Sequence, residues 1–480
     1  MPCTTILVGK KASYDGSTLM ARNEDSPNLS FESKKFIVVN PKDQPSVYKA
    51  VLSKVEITLP PDPVRYTAMP NANPKDGIWG EAGINEYNVA MSETETITSN
   101  PLVLGADPLV KDGIGEEDML TIVLPYIKTA KEGVIRLGSL IEQYGTYEMN
   151  GIGFQDTNEI WWFESIGGHH WMAKRVPDES YVVMPNQLGI DNFDFDDALG
   201  KKESNICSKD LIDFIEKNHL NLMTHPTYAH FDTRAAFGSH SDSDHVYNTP
   251  RAWFMAKCLS PKTVKNLGIQ PSDDNIPWSF VSEKKITVED IKYVLSSYYQ
   301  GTKYNPYSIS GDTSEKGKFR PIGINRNNFV AITQLRPYAP KEIMAIEWIA
   351  VASNAFNTMI PFYTNVTDTP PYLRDTTDTV TTENFYWVNR IIGALADSQY
   401  GDCINHIERY QDYTMSKGHE FINETDIEYV KNKPKDIDSY LRSRNQQITD
   451  IIKKSTDETL SKVLYTVSCK MSNAFNRSDA

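Results

Sequence analysis

Short apolar, β-branched runs come in an order that limits the fold: strand-like segments first, then helical spacing, then strands again. Residues 4–8 and 17–21 read as strands around Tyr14-Asp15-Gly16, where the Asp-Gly pair supplies the backbone angles of a tight hairpin. Further strand-like runs occupy residues 35–39, 50–52 and 88–92. Leu137, Leu140, Ile141 and Tyr144 then fall on one helix face, as positions i, i+3, i+4 and i+7 must. Strands resume at 159–164, 170–173 and 181–184, and helices are predicted at 251–258 and 287–299, the latter with Thr287 and Asp290 at capping-box spacing. Strands return at 329–333 and 343–348, a Pro-, Thr- and Asp-rich connection spans 367–382, and the rest reads helical. This order predicts an α+β protein, not a regular βαβ array.

With 49 basic and 63 acidic side chains the formal charge is −14, which disfavours nucleic acid, since Lys and Arg supply most phosphate-binding energy. No run approaches the roughly 18 apolar residues of a membrane span, and no basic region followed by an apolar stretch marks a secretory signal. The expectation is a soluble, cytoplasmic protein without a membrane partner. Cys3, Cys207, Cys258, Cys403 and Cys469 are odd in number and scattered, which suggests neither a disulfide framework nor a zinc knuckle. Four of them are expected to be small buried residues.

Cys3 is the exception because of its position. If trimming makes it the first residue, its own α-amino group, with an ordinary pKa of about 7.7 to 8.0, becomes a base beside the thiol. The hairpin returns Arg22 to the neighbourhood of Cys3, where a guanidinium is expected to lower the thiol pKa. Asp25, just past that strand, could accept hydrogen bonds from the ammonium or the thiol region. Taken alone, a cysteine near a chain start is more often a buried strand residue, and an Arg-x-x-Asp a surface ion pair.

Cys3-Thr4-Thr5 followed by Ala21-Arg22-Asn23-Glu24-Asp25-Ser26 resembles the opening of the N-terminal-nucleophile (Ntn) hydrolases of the choloylglycine hydrolase and penicillin V acylase kind. More closely, residues 3–18 with that sequel resemble the dipeptidase A family of cysteine Ntn peptidases, to which secernins are related. Gly83-Ile84-Asn85-Glu86, Val183-Met184-Pro185-Asn186, Thr249-Pro250-Arg251-Ala252 and Phe319-Arg320-Pro321-Ile322 extend the likeness over most of the chain.

The resemblance implies an αββα sandwich of two stacked antiparallel sheets over residues 1–370, with a helical extension over 380–480 packed on it. It implies Cys3 as nucleophile, its freed amine as base, Arg22 and Asp25 beside it, Asn186 donating to the oxyanion, and Arg251 completing the charge network. It also implies a homo-oligomer that hydrolyses dipeptides with no metal or organic cofactor. Where the acylases carry a second Asn, this chain aligns Glu95, and a carboxylate cannot donate to an oxyanion. Glu95 or Glu93 is therefore expected to bind the α-ammonium of a peptide. Pro2 departs from a simple start, because removing Met1 alone leaves it in front of Cys3.

Two other readings follow from the same likeness: an N-acyl amidase of the acylase type, and a secernin-like protein acting through interaction. His225, His230, His240 and His245 form pairs five apart, which does not stack two ligands on one helix face, so loop histidines are expected. His169 and His170 are expected to alternate across a strand. Trp161, Trp162 and Phe163 are expected in the core.

Overall fold

The computed structural model describes residues 3–224 and 227–473; the side chains of Thr94 and Glu95 lie outside that description. Two antiparallel sheets dominate. The first has seven strands in the order Ser279–Val281, Ser180–Met184, Cys3–Val8, Thr18–Asp25, Asn327–Leu335, Ala345–Val351 and Ile360–Tyr363. The second has six, in the order Asn205–Cys207, His170–Arg175, Ile160–Ile166, Asn150–Gln155, Ala90–Glu95 and Ala82–Ile84.

The first two strands pair with Cys3 opposite Glu24 and Thr5 opposite Arg22. Opposed residues share a face, so the period-2 alternation puts Cys3, Thr5, Leu7, Met20, Arg22 and Glu24 on one side. That side faces the second sheet, where Leu7 and Met20 share a core with Ile84, Ala90, Trp162 and Met172. Gly153 permits the close approach: a Cβ there would lie 2.4 Å from Met20 Sδ.

Helices cover both outer faces. Ile6, Val8 and Ala21 pack under the helices Thr249–Leu259, Val288–Leu295 and the C-terminal helices Phe385–Ser398, Tyr400–Asn432 and Ile437–Ser468. Across the molecule, Phe154, Trp161 and Phe163 pack under Glu116–Val123 and Ala130–Tyr144. The fold is α+β, layered helix, sheet, sheet, helix. No helix among the described residues is long and apolar enough to cross a membrane.

Several local expectations shift. Residues 50–52 form the reversal between the short strands Val47–Lys49 and Glu56–Thr58, with Lys54 at φ +70°. The helix capped by Thr287 and Asp290 ends at Leu295, short of residue 299. Of the four cysteines expected to be buried, Cys207 and Cys403 are, whereas Cys258 is half-buried and Cys469 exposed near the end of the last helix. His169 and His170 do not alternate: His169 precedes the strand, and both Nδ1 atoms meet Asp107, at 2.9 and 2.7 Å.

Glu347 gives a direct test of the interior. It is fully buried in the strand Ala345–Val351, and its carboxylate accepts a hydrogen bond from the Thr67 hydroxyl at 2.6 Å. Burial pushes its pKa up from 4.5 to about 8, opposed by Thr67. A carboxyl whose folded pKa is raised destabilises the fold only when ionised, so the penalty starts near the unfolded value and grows until pH about 8. Glu347→Gln is expected to gain stability over the wild type as pH rises from 5 to 9, by a few kcal/mol at the top. Paired thermal melts check this; a difference independent of pH would contradict it.

Candidate active site

Cys3 opens the first strand and is fully buried on the face between the sheets. Its Sγ accepts a hydrogen bond from Arg22 Nη2 at 2.7 Å. The hairpin expectation is met in outcome, although the two strands are joined by a loop of residues 9–17 that turns with Gly16 at φ +84°.

Arg22 is itself clamped. Its Nη1 contacts Glu81 Oε2 at 2.5 Å and its Nη2 donates to Glu116 Oε1 at 3.1 Å, all three side chains having no solvent exposure. Burial works against the guanidinium, yet Cys3, Glu81 and Glu116 overcome it and hold its pKa well above the usual value. For the thiol the balance goes the other way. Burial pushes Cys3 far above its ordinary pKa, and Arg22, although lowering it, does not compensate. Arg22 thus lowers the thiol pKa as expected, but the net shift is upward, because in this chain, with a peptide bond before Cys3, loss of hydration outweighs the neighbouring cation.

Carboxylates crowd the same face. Oxygens of Glu81, Glu93 and Glu116 lie within 4.8 Å of one another. Burial raises Glu81 and Glu93 well above 4.5 and brings Glu116 to about 7, with Arg22 opposing in each case. Both carboxylate oxygens of Glu93 are buried, with only a weak approach from the Leu120 main chain to stabilise their charge besides Arg22. Lys34 extends the row, 2.5 Å from Glu24 Oε2 and 3.9 Å from Glu81, with its Nζ over the Phe329 ring. The cluster could hold a cation, but a metal ion there would stand beside Arg22, so a singly charged ammonium suits the site better.

Local sequence explains how these acids arrive. Glu116 is the first residue of its helix, in an acidic first turn Glu116-Glu117-Asp118 that the helix dipole favours, and Asp118 caps the Gly115 amide at 3.0 Å. Glu81 holds φ +69°, an unfavourable left-handed conformation for a non-glycine residue, just before the strand Ala82–Ile84. The Glu93 amide donates to the Glu81 carbonyl at 3.1 Å and ties the two together.

The other predicted residues gather at the main chain of Cys3. Pro185 follows the strand Ser180–Met184 and cannot extend its ladder, which leaves Asn186 level with the start of the paired first strand. Asn186 Oδ1 accepts from the Cys3 amide at 3.2 Å and from Arg251 Nη2 at 2.7 Å. Arg251, in the first turn of its Pro-started helix, donates from Nη1 to the Cys3 carbonyl at 2.5 Å and the Thr4 hydroxyl at 2.7 Å. Asp25 is on the opposite face from the thiol. It is held by Arg320 and Asn327, with Asn23 at 3.3 Å, so it fixes this cationic side and not the sulfur.

Cys3, Arg22, Asn186, Arg251 and Glu93 thus converge on one end of the sandwich. The side chain of Glu95 lies outside the described residues, as do Met1, Pro2 and His225. Against the expectation, the remaining histidines are not all in loops: His230 ends the 3-10 turn Tyr228–His230 and meets Asn192 at 3.2 Å, and His245 lies in the short helix Asp244–Tyr247, where it approaches Asp274 at 2.8 Å, with His240 at 3.8 Å from the same carboxylate. Trp161, Trp162 and Phe163 are fully buried in the cores. Sequence reasoning missed Glu81, Glu116 and Lys34, and met Arg320 only as part of the family-like segment 319–322 without giving it a role; the acidic run Glu116-Glu117-Asp118 before Met119-Leu120 is the one local signal that could have drawn attention to Glu116.

The model of peptidase family C69 matches residues 2–413. The chain belongs to peptidase family C69. This C69 peptidase is 52% identical to a dipeptidase of Bifidobacterium longum, the match covering all of both chains. It is 52% identical to a probable dipeptidase A of Streptococcus pyogenes serotype M1 over 99% of this chain and 98% of that one. Dipeptidase A of Lactobacillus helveticus is 43% identical over 96% of each. Among solved structures, penicillin V acylase from Agrobacterium tumefaciens aligns over 75% of this chain and 86% of its own, at 11% identity and a TM-score of 0.32.

Proposed function

We propose that this peptidase hydrolyses dipeptides with a free N-terminus through Cys3, after removal of Met1 and Pro2 has turned the Cys3 nitrogen into an α-amine. The observation that carries the reading is that both reacting groups of Cys3 are already held: the sulfur by Arg22 at 2.7 Å and the nitrogen by Asn186 Oδ1 at 3.2 Å. Relatives named as dipeptidases over their full lengths support the substrate class.

In this mechanism the freed amine takes the thiol proton as sulfur attacks the scissile carbonyl carbon. Arg22 offsets part of the burial penalty on the thiolate. Asn186, with Oδ1 fixed by Arg251 and the Cys3 nitrogen, donates from its Nδ2 to the oxyanion. Collapse breaks the C–N bond, the leaving amine takes the proton back, and a thioester remains. Water, deprotonated by the same amine, then releases the acyl group and restores the thiol.

Glu93 supplies the preference for a free amine: its buried, poorly satisfied carboxylate would pair with the substrate's α-ammonium. Glu95 shares that role by its alignment alone.

One experiment tests the reading as a whole. The N-terminal mass of the mature chain is determined and the same preparation is assayed on free and N-acetylated dipeptides, in wild type and Glu93→Gln. A chain starting at Cys3, preferring free dipeptides, is expected, with Glu93→Gln losing roughly 30-fold or more on free substrates and much less on blocked ones. An active chain that retains Pro2 would overturn the N-terminal mechanism, and equal losses on both substrates would remove Glu93 from ammonium recognition.

A further inference from the structure

The face of Cys3 opposite the acidic cluster is cationic to an unusual degree. The guanidiniums of Arg251 and Arg320 lie 5.2 and 5.0 Å from the centre of the Tyr247 ring, and Arg326 Nη2 donates to the Tyr247 hydroxyl at 2.8 Å. Of these three arginines, Arg320 is ion-paired with Asp25. Arg251 instead donates to neutral oxygens: those of Cys3, Thr4, Asn186, Tyr247 and Asn248. Burial and the neighbouring Arg320 depress its pKa to about 9, the response of a cation short of counter-charge.

Arg320 is the member with capacity to spare. The residue is 8% exposed, and its Nε and Nη1 are buried without a hydrogen-bond partner while Nη2 serves Asp25. Buried N–H groups of a charged side chain normally find acceptors, because one left without an acceptor keeps the full cost of losing its water. An anion would satisfy them and the local charge together. The two poles lie on opposite sides of one residue: Glu81 and Glu116 with Arg22 by the sulfur, and Arg251 at the main chain, with Arg320 beyond it against the same Tyr247 ring.

We infer that Arg320, backed by Arg251, receives the free α-carboxylate of the substrate, so that a peptide is gauged at both ends across Cys3. This deepens the proposed dipeptidase reading and rests on it. The substrate class narrows to zwitterions two residues long. A third residue would carry the carboxylate past Arg320, and a C-terminal amide would leave a neutral group there.

The test compares free dipeptides with their C-terminal carboxamides on the processed wild-type enzyme, Arg320→Gln and Arg320→Lys, following kcat and KM separately. Wild type is expected to favour the acid over the amide by about 10²-fold in kcat/KM, mostly through KM, and Arg320→Gln to bring that ratio close to unity. Arg320→Lys, which keeps a cation for Asp25 but loses the planar fork, is expected to retain only part of the preference. A wild-type enzyme that cleaves acids and amides equally would overturn the inference without using a variant. So would an Arg320→Gln enzyme that loses both substrates in proportion, which is what a purely structural residue would give. Failure of the underlying reading looks different: Cys3→Ser would then retain turnover on acid and amide alike.

Discussion

Cys3→Ser is expected to lower kcat on free dipeptides by about 10⁴-fold or more, because a nucleophile and its base act as a unit and neither replaces the other. The environment exaggerates the difference. Burial already pushes the thiol far above its ordinary pKa, and a hydroxyl in the same place starts from a much weaker acid. Full activity needs the α-amine, so the comparison is made on variants whose N-terminal mass shows removal of Met1 and Pro2. Rapid-quench mass spectrometry should trap a thioester on the wild type during turnover and no acyl adduct of similar abundance on the variant. A correctly processed Cys3→Ser chain that loses less than tenfold would remove Cys3 as nucleophile.

Arg22→Gln is expected to have the second largest effect, and on stability as well as activity. Among the described residues, Arg22 is the cation that contacts Cys3, Glu81 and Glu116 together. Its removal leaves buried carboxylates without their countercharge, an outcome that costs about 3 to 5 kcal/mol when the acids remain ionised. Protonation is their escape. Glu116, already at about 7, would move higher once Arg22 no longer opposes burial. Because an acid with a raised folded pKa is penalised only above its unfolded value, the loss should be smaller at pH 5.5 than at pH 8. Urea denaturation at the two pH values measures it, and an equal loss at both would show that these carboxylates are not the ones relieved. Activity is expected to fall by about 10² to 10³-fold, since the thiolate loses its nearest donor. Arg22→Lys should recover much of the stability but less of the activity, a single ammonium being unable to reach Glu81, Glu116 and the sulfur at once.

Much of the site was legible because its residues are carried by short local signals. Cys3 and Arg22 lie at the same end of one paired strand ladder, away from the connecting loop, so two apolar runs joined through an Asp-Gly turn were enough to bring them together. Asn186 and Arg251 were legible through the family resemblance of the segments 183–186 and 249–252, and both residues do reach the Cys3 main chain. Asp25 shows the limit of such reasoning. It is close to Cys3 in the ladder, yet alternation turns its side chain toward Arg320 and Asn327.

What the sequence determined by itself was the class of fold, the opening hairpin and the presence of a thiol that trimming could arm, because period-2 patterning, turn chemistry and proline punctuation act over a few residues. Tertiary structure alone decided the electrostatics. Glu81, Glu93 and Glu116 are separated along the chain and meet only because the second sheet and the helix Glu116–Val123 close over Arg22. The same closure strips water from Cys3, which reverses the sign of its pKa shift from the one a neighbouring arginine alone would give. Charge and dehydration act through space, so no pattern of spacing along the chain could have told which of them prevails.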